Sequence, residues 1–245
     1  MPNLVFPQLA SGTMTQYPVR RTRYLRTIKN MAEDGTPYLY CDVNASIVNW
    51  ELAYTGLTTN EMQSLLTLFD ECGGPYRGFT FLDPVGNLLS SSWQLASGIS
   101  QSGTTYTNSS GSPLAVSQTL PIPASYQYCF SIAVQSTGPG TLTLIRRGAI
   151  SEQRDSISIS ETNLISSGQL TDSGTTFTVA IELLPGQSIN LTQWQLQAQM
   201  APGSYQKPTL TGGVYTNAHW AQNQLIFTAD GPDSFSTTVV VEARL

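Results

Sequence analysis

The sequence predicts a mainly β protein with one α-helix, and three observations point that way. Apolar and polar residues alternate over short runs, the period of a strand with one buried face. Charged residues are only 11% of the chain, against roughly 25% in an ordinary soluble domain. Ser, Thr, Gln, Asn and Gly take their place, a balance that suits short strands, tight turns and surfaces buried between subunits. A single segment, 58–72, has helical spacing instead.

The strands can be read in order. Glu33-Asp34-Gly35 reads as a hairpin turn. Val48, Trp50, Leu52 and Tyr54 then alternate with Asn49, Glu51 and Ala53, and Phe79 and Phe81 mark a short strand before Asp83-Pro84. Tyr126, Tyr128, Phe130, Ile132 and Val134 alternate with Gln127, Cys129, Ser131, Ala133 and Gln135. Thr141–Ile145, Thr176–Leu183 and Leu191–Gln199 read as further strands. Leu225–Ala229 and Ser236–Ala243 read as a last pair joined by the turn Asp230-Gly231-Pro232-Asp233. From about Ser90 to Pro208 the repeated short strands and turns predict a β-sandwich, with Arg146, Arg147, Arg154 and Lys207 its only basic residues.

The helix has a start, a face and a stop. Thr58 and Glu61 have capping-box spacing, and Leu57 and Met62 sit where a hydrophobic staple would place them. Met62, Leu65, Leu66, Phe69 and Cys72 form one apolar stripe. Gly73-Gly74 supplies a left-handed stop.

Charge and cysteine usage exclude several classes. A net charge of −5 argues against a nucleic-acid binder, whose footprint should be basic. Cys41, Cys72 and Cys129 form no CxxC pair, so neither a disulfide framework nor a zinc site is expected. The start MPNLVFPQLASG lacks the basic flank and apolar core of a secretory signal. No apolar run approaches the roughly 20 residues that span a bilayer. The expectation is a chain made in the cytoplasm, soluble, with no membrane partner.

The chemistry expected is not enzymatic. His219 is the one histidine, and no GxSxG elbow, HExxH pair or P-loop accompanies it. A strand-end histidine stacked beside Trp220 is the favoured reading. A glycosidase needs two facing carboxylates, yet Asp70 and Glu71 fall at the helix end and Asp83 precedes a proline. No cofactor or metal is implied.

Two groups remain as candidates. Arg20, Arg21, Arg23, Arg26 and Lys29 hold five of the eleven basic residues. In an extended strand Arg20, Tyr24 and Arg26 share one face, and Arg21, Arg23 and Lys29 the other. This is either a solvated edge strand that resists aggregation or a charged docking surface for a neighbouring subunit. DNA is the poorest partner, because eight acidic residues among the first 89 outweigh six basic ones. Trp93, Tyr106, Tyr126 and Trp194 invite a sugar-binding reading. Tyr126 and Trp194 continue apolar strand faces and read as core, whereas Trp93 and Tyr106, in polar surroundings, are the candidate glycan contacts.

Residues 1–89 and 209–245 resemble the distal tail proteins of long-tailed phages and gene transfer agents. The resemblance lies in an ordered set of features. Phe6-Pro7 comes first, then the Arg-rich strand, Asn49-Trp50-Glu51-Leu52-Ala53-Tyr54, and Gly56-Leu57-Thr58 opening the helix. Leu68-Phe69, Gly73-Gly74, Phe79-Thr80-Phe81 and Asp83-Pro84 complete it. It implies a tail-tube-like β-barrel with the helix against it, and a ring, usually of six copies, at the tip of a virion tail assembled in the bacterial cytoplasm. Its partners would be the tail tube protein and the hub or tail fibres.

Residues 90–208 resemble the galactose-binding or carbohydrate-module-like jelly rolls attached to such proteins. Ser91–Trp93 resembles their entry, and Gln193-Trp194-Gln195-Leu196-Gln197-Ala198-Gln199 with Pro202-Gly203-Ser204-Tyr205 their exit. Gln197 or Ala198 stands where an acidic residue is usual. The resemblance implies an inserted β-sandwich that either binds a host surface glycan or serves as a spacer. The rival to a structural ring protein is therefore a receptor- or glycan-binding module; a cell-wall hydrolase is the weaker alternative.

Overall fold

The structure is a computed structural model and describes residues 4–137, 141–158 and 163–245, without the side chains of 43–45 and 136–137. Met1–Asn3, at the start of the expected first domain, lie outside these residues, as do two short segments of the expected sandwich.

In chain order the first elements are β1 (Val19–Met31), β2 (Pro37–Leu57), α1 (Thr59–Cys72), β3 (Phe79–Leu82), β4 (Gln94–Leu95), β5 (Ile99–Ser102), β6 (Thr105–Asn108) and β7 (Leu114–Leu120). Next come β8 (Tyr128–Thr137), β9 (Thr141–Arg147), β10 (Glu152–Ser158), β11 (Asn163–Gly168), β12 (Phe177–Leu183) and β13 (Ser188–Gln197). The chain ends with β14 (Val214–Trp220), β15 (Thr228–Gly231) and β16 (Ser234–Arg244). The protein is mainly β.

The elements fall into two units. Unit 1 comprises residues 1–7, 15–81 and 215–245; unit 2 comprises 8–14 and 82–214. The junctions expected at 89/90 and 208/209 therefore move outwards on both sides. Hydrogen bonding gives the reason. The Asn87 side-chain amide donates to the carbonyls of Trp194 and Gln206, its Oδ1 accepts from Leu196 N–H, and Leu88 N–H donates to Leu196 O. Residues 8–14 join unit 2 because Gln8 and Gln127 exchange hydrogen bonds of 2.7 and 2.9 Å. Side-chain-to-backbone bonding of this kind leaves no trace in hydropathy.

Unit 1 is one sheet in the order β1-β2-β16-β14-β3, with β15 paired to β16. Where a barrel is expected, no ladder joins β1 to β3 among the described residues, so the pairings make an open sheet. Val48, Trp50, Leu52 and Tyr54 are all buried, as their alternation requires. Phe6, Phe79, Phe81, Trp50, Phe69 and Trp220 form a cluster with ring centroids 5.0–6.0 Å apart. Thr58 caps α1 with both halves of the capping box, and Gly73 ends it at φ 64°, in the left-handed region a glycine enters without strain. The buried helix residues are Leu65, Leu68 and Cys72; of the expected stripe Leu65 and Cys72 are buried and Met62, Leu66 and Phe69 half-buried, while the buried Leu68 was not in it. From the turn after β15, Asp233 Oδ1 accepts from the Thr59 N–H and hydroxyl.

Unit 2 is a sandwich of two five-stranded antiparallel sheets, β10-β9-β12-β7-β4 and β11-β8-β13-β6-β5. Tyr128, Phe130, Ile132 and Val134 of β8, Leu142 and Leu144 of β9, and Val179 and Ile181 of β12 are buried. Arg146 of β9 ties one sheet to the other. Its side chain is 3% exposed, and it donates to Ser166 Oγ, Ser167 O and Gly168 O, with Asp155 3.8 Å away.

Candidate functional site

The first candidate grows out of the register of β1 on β2. The two strands pair from Val19↔Leu52 to Met31↔Pro37. On the other side of β2, β16 covers only Ile47–Leu57. Among the described residues, Arg26–Met31 and Pro37–Asp42 consequently pair with each other alone, as a two-stranded ribbon. Ile28 lies opposite Tyr40 and Lys29 opposite Leu39, so successive pairs put apolar groups on both faces. Tyr24, Leu25, Ile28, Met31, Tyr38, Leu39 and Tyr40 are all exposed.

The four candidate arginines sit on β1, an edge strand. A register shift between Tyr24 and Arg26 breaks the strict alternation expected to put Arg20 and Arg26 on one face. Arg20 lies 3.8 Å from Glu51 and Arg26 3.8 Å from Asp42. Exposed pairs of this kind are weak and leave both cations open to a partner. Arg23 is exposed. Arg21 is engaged at home: it donates to the Tyr215 hydroxyl at 3.3 Å and lies 5.7 Å from the Trp50 ring centre.

His219 lies in a cavity of about 320 Å³ with Asn217, Glu242 and Arg244 among its lining. Its Nδ1 is 3.1 Å from Pro75 O. Trp220 is the next residue of β14 and is fully buried in the aromatic cluster. Neighbours in a strand face opposite ways, which corrects the expected stacking of the two rings. Among the described residues lining this cavity there is no hydroxyl or thiol to act as a nucleophile. No group of three or more His, Cys, Asp or Glu could hold a metal among the described residues.

In unit 2 the expected glycan contacts are corrected. Trp93 is 8% exposed, against the rings of Phe130 and Trp194, and Tyr106 is 2% exposed in β6. Neither presents a ring face to solvent. Their polar sequence neighbours are the residues that face outwards, so local polarity misled. Tyr126 and Trp194, read as core, are half-buried. Burial pushes the Tyr126 hydroxyl up to about 12.

A feature the sequence reading missed is an open trough of about 250 Å³ on the β11-β8-β13 face. Ser131, Ala133, Asn163, Ile165, Gln193 and Tyr205 are among its lining. The available signal was the series Gln193, Gln195, Gln197 and Gln199, three amides on one side of β13 and a fourth just beyond its end. Gln195 and Gln197 are buried yet face the trough side, because they hold the loop that follows.

No family model matches the chain, and no curated protein matches it. Among solved structures it is similar to the carbohydrate-binding module TmCBM61 in complex with beta-1,4-galactotriose. The likeness has 13% identity and a TM-score of 0.32, and covers 45% of this chain and 97% of that one. At that depth it carries no argument about fold or ligand.

Proposed function

We propose that the protein is a non-catalytic structural component of a phage-like tail tip, self-assembled in a ring that joins the tail tube to hub or fibres. The observation that carries this reading is the ribbon of β1 and β2. A two-stranded ribbon has no core of its own and is marginal in water. An exposed apolar patch of this kind marks an interaction site. Seven exposed apolar side chains interleaved with Arg23, Arg26 and Lys29 suit a surface covered by another subunit.

Light scattering on the purified chain, with particle images from the same sample, tests the reading. The expected result is a ring of several copies. Replacing Leu39 and Tyr40 by Glu should dissociate it while the circular dichroism spectrum stays unchanged. A strict monomer at high concentration, alone and with tube protein added, defeats the proposal.

A second reading, glycan or receptor binding by unit 2, is favoured by the trough on the β11-β8-β13 face. The two are compatible, since an assembly protein can carry a binding module.

A further inference from the structure

The trough is a product of cross-strand register. Asn163, Ala133 and Gln193 form one row across β11, β8 and β13, and Ile165, Ser131 and Gln195 form the next. In both rows the central strand offers a small side chain and the outer strands larger ones. The floor is therefore low and the walls rise on either side.

One wall is held rigidly. Gln195 donates to Gly203 O and accepts from Gln206 N–H, and Gln197 Oε1 accepts from Gly203 N–H at 2.8 Å. Gln199 donates to Gln197 Oε1 and to Ala201 O. This amide ladder fixes the 201–206 loop and with it Tyr205, which is 38% exposed at the rim. A wall fixed before binding costs no ordering when a ligand arrives.

The lining selects the ligand chemistry. None of the described lining residues carries a formal charge, so a charged ligand would lose hydration with no counter-charge to compensate. The Asn163 and Gln193 amides, the Ser131 hydroxyl and the Tyr205 phenol all line the trough, and none hydrogen-bonds a described residue. Each amide offers donors and an acceptor, and the Tyr205 ring and Ile165 offer apolar surface beside them. Hydroxyl-rich edges flanking an apolar C–H face are the signature of a sugar ring. We propose that this trough binds a neutral glycan, with Tyr205 against a sugar face and Asn163 and Gln193 hydrogen-bonded to its hydroxyls. The inference rests on the second reading above and is independent of the assembly reading.

The test is affinity electrophoresis of the full chain through native gels containing a soluble galactan, a galactomannan or a β-glucan, with polygalacturonate as the charged control. At least one neutral polysaccharide should retard the protein, and polygalacturonate should not. Tyr205→Ala, which removes the ring, and Ala133→Gln, which fills the floor, should each weaken retardation about tenfold or more. Gln193→Ala, at an exposed amide, repeats the test without touching the floor. Wild type unretarded by every neutral gel, retardation unchanged in the variants that melt like wild type, or equal retardation by polygalacturonate each overturns the proposal. A chain that forms rings but is never retarded defeats this inference alone; one that is retarded but never assembles defeats only the assembly reading.

Discussion

The two halves of β2 are made of similar residues and meet opposite environments. Between Ile47 and Leu57 the strand lies between β1 and β16, and alternate side chains enter the aromatic core. Between Pro37 and Asp42 it has β1 alone among the described residues, and Tyr38, Leu39 and Tyr40 are exposed in succession. Tyr54 is 1% exposed and Tyr40 is 56% exposed. The difference teaches that apolar content in a strand reports where surface is to be covered, and alternation reports by what. One buried face means a core of the same chain; apolar groups on both faces of a two-stranded ribbon leave surface that this unit's own core does not cover.

The largest effect should come from the covered half. Tyr54→Ala empties a core site and should cost about 3–5 kcal/mol, whereas Tyr40→Ala in the same strand should change unfolding by less than about 0.5 kcal/mol. Calorimetry of the two variants reads this directly, and similar losses for both would erase the contrast. Next in size is the buried cation of unit 2. Arg146→Ala removes the donor to the Ser167 and Gly168 carbonyls and the cation beside Asp155, and should cost about 3 kcal/mol. Arg23→Ala, exposed on β1, should leave stability within about 0.5 kcal/mol while weakening assembly in low salt.

Thiol chemistry sharpens the same contrast without mutation. Cys41 is exposed in the ribbon, while Cys72 and Cys129 are buried. Burial raises both buried thiols, Cys129 to about 11. One thiol should therefore react quickly with a disulfide reagent at pH 8, and all three only in denaturant. Assembly through the ribbon should slow the fast one.

The smallest effect is a pH dependence. Asp172 accepts from the Ile150, Gly174 and Ser151 N–H groups, which hold its carboxyl below the ordinary 3.8. A carboxyl lowered in the folded state contributes stability that is full above its unfolded value and lost as pH falls through the folded one. The melting temperature of Asp172→Asn should therefore lie below wild type at pH 6, and the gap should narrow below about pH 3.8. A gap that widens on acidification contradicts this account.

Much of the framework was legible because its signals are local. Thr58, Glu61 and Gly73 mark a helix whatever surrounds it, and the alternation of Val48 to Tyr54 marks a face. The Asp230–Asp233 turn was readable for the same reason, although its second role, Asp233 bonded to Thr59, was not. Trp93 and Tyr106 were misread because their neighbours in sequence are polar while their neighbours in space are apolar. The trough was invisible for a related reason: Ser131 and Ala133 become a floor only when Asn163, Ile165, Gln193 and Gln195 flank them.

By itself, then, the sequence determined the mainly β character, the helix and its caps, and about half of the strand positions, since each depends on residues a few places apart. The tertiary structure alone decided which strands stand beside which, where one unit gives way to the other, and which half of β2 is left uncovered. Those outcomes depend on pairing between residues far apart in the chain, whose register follows from the whole set of contacts and not from any one segment.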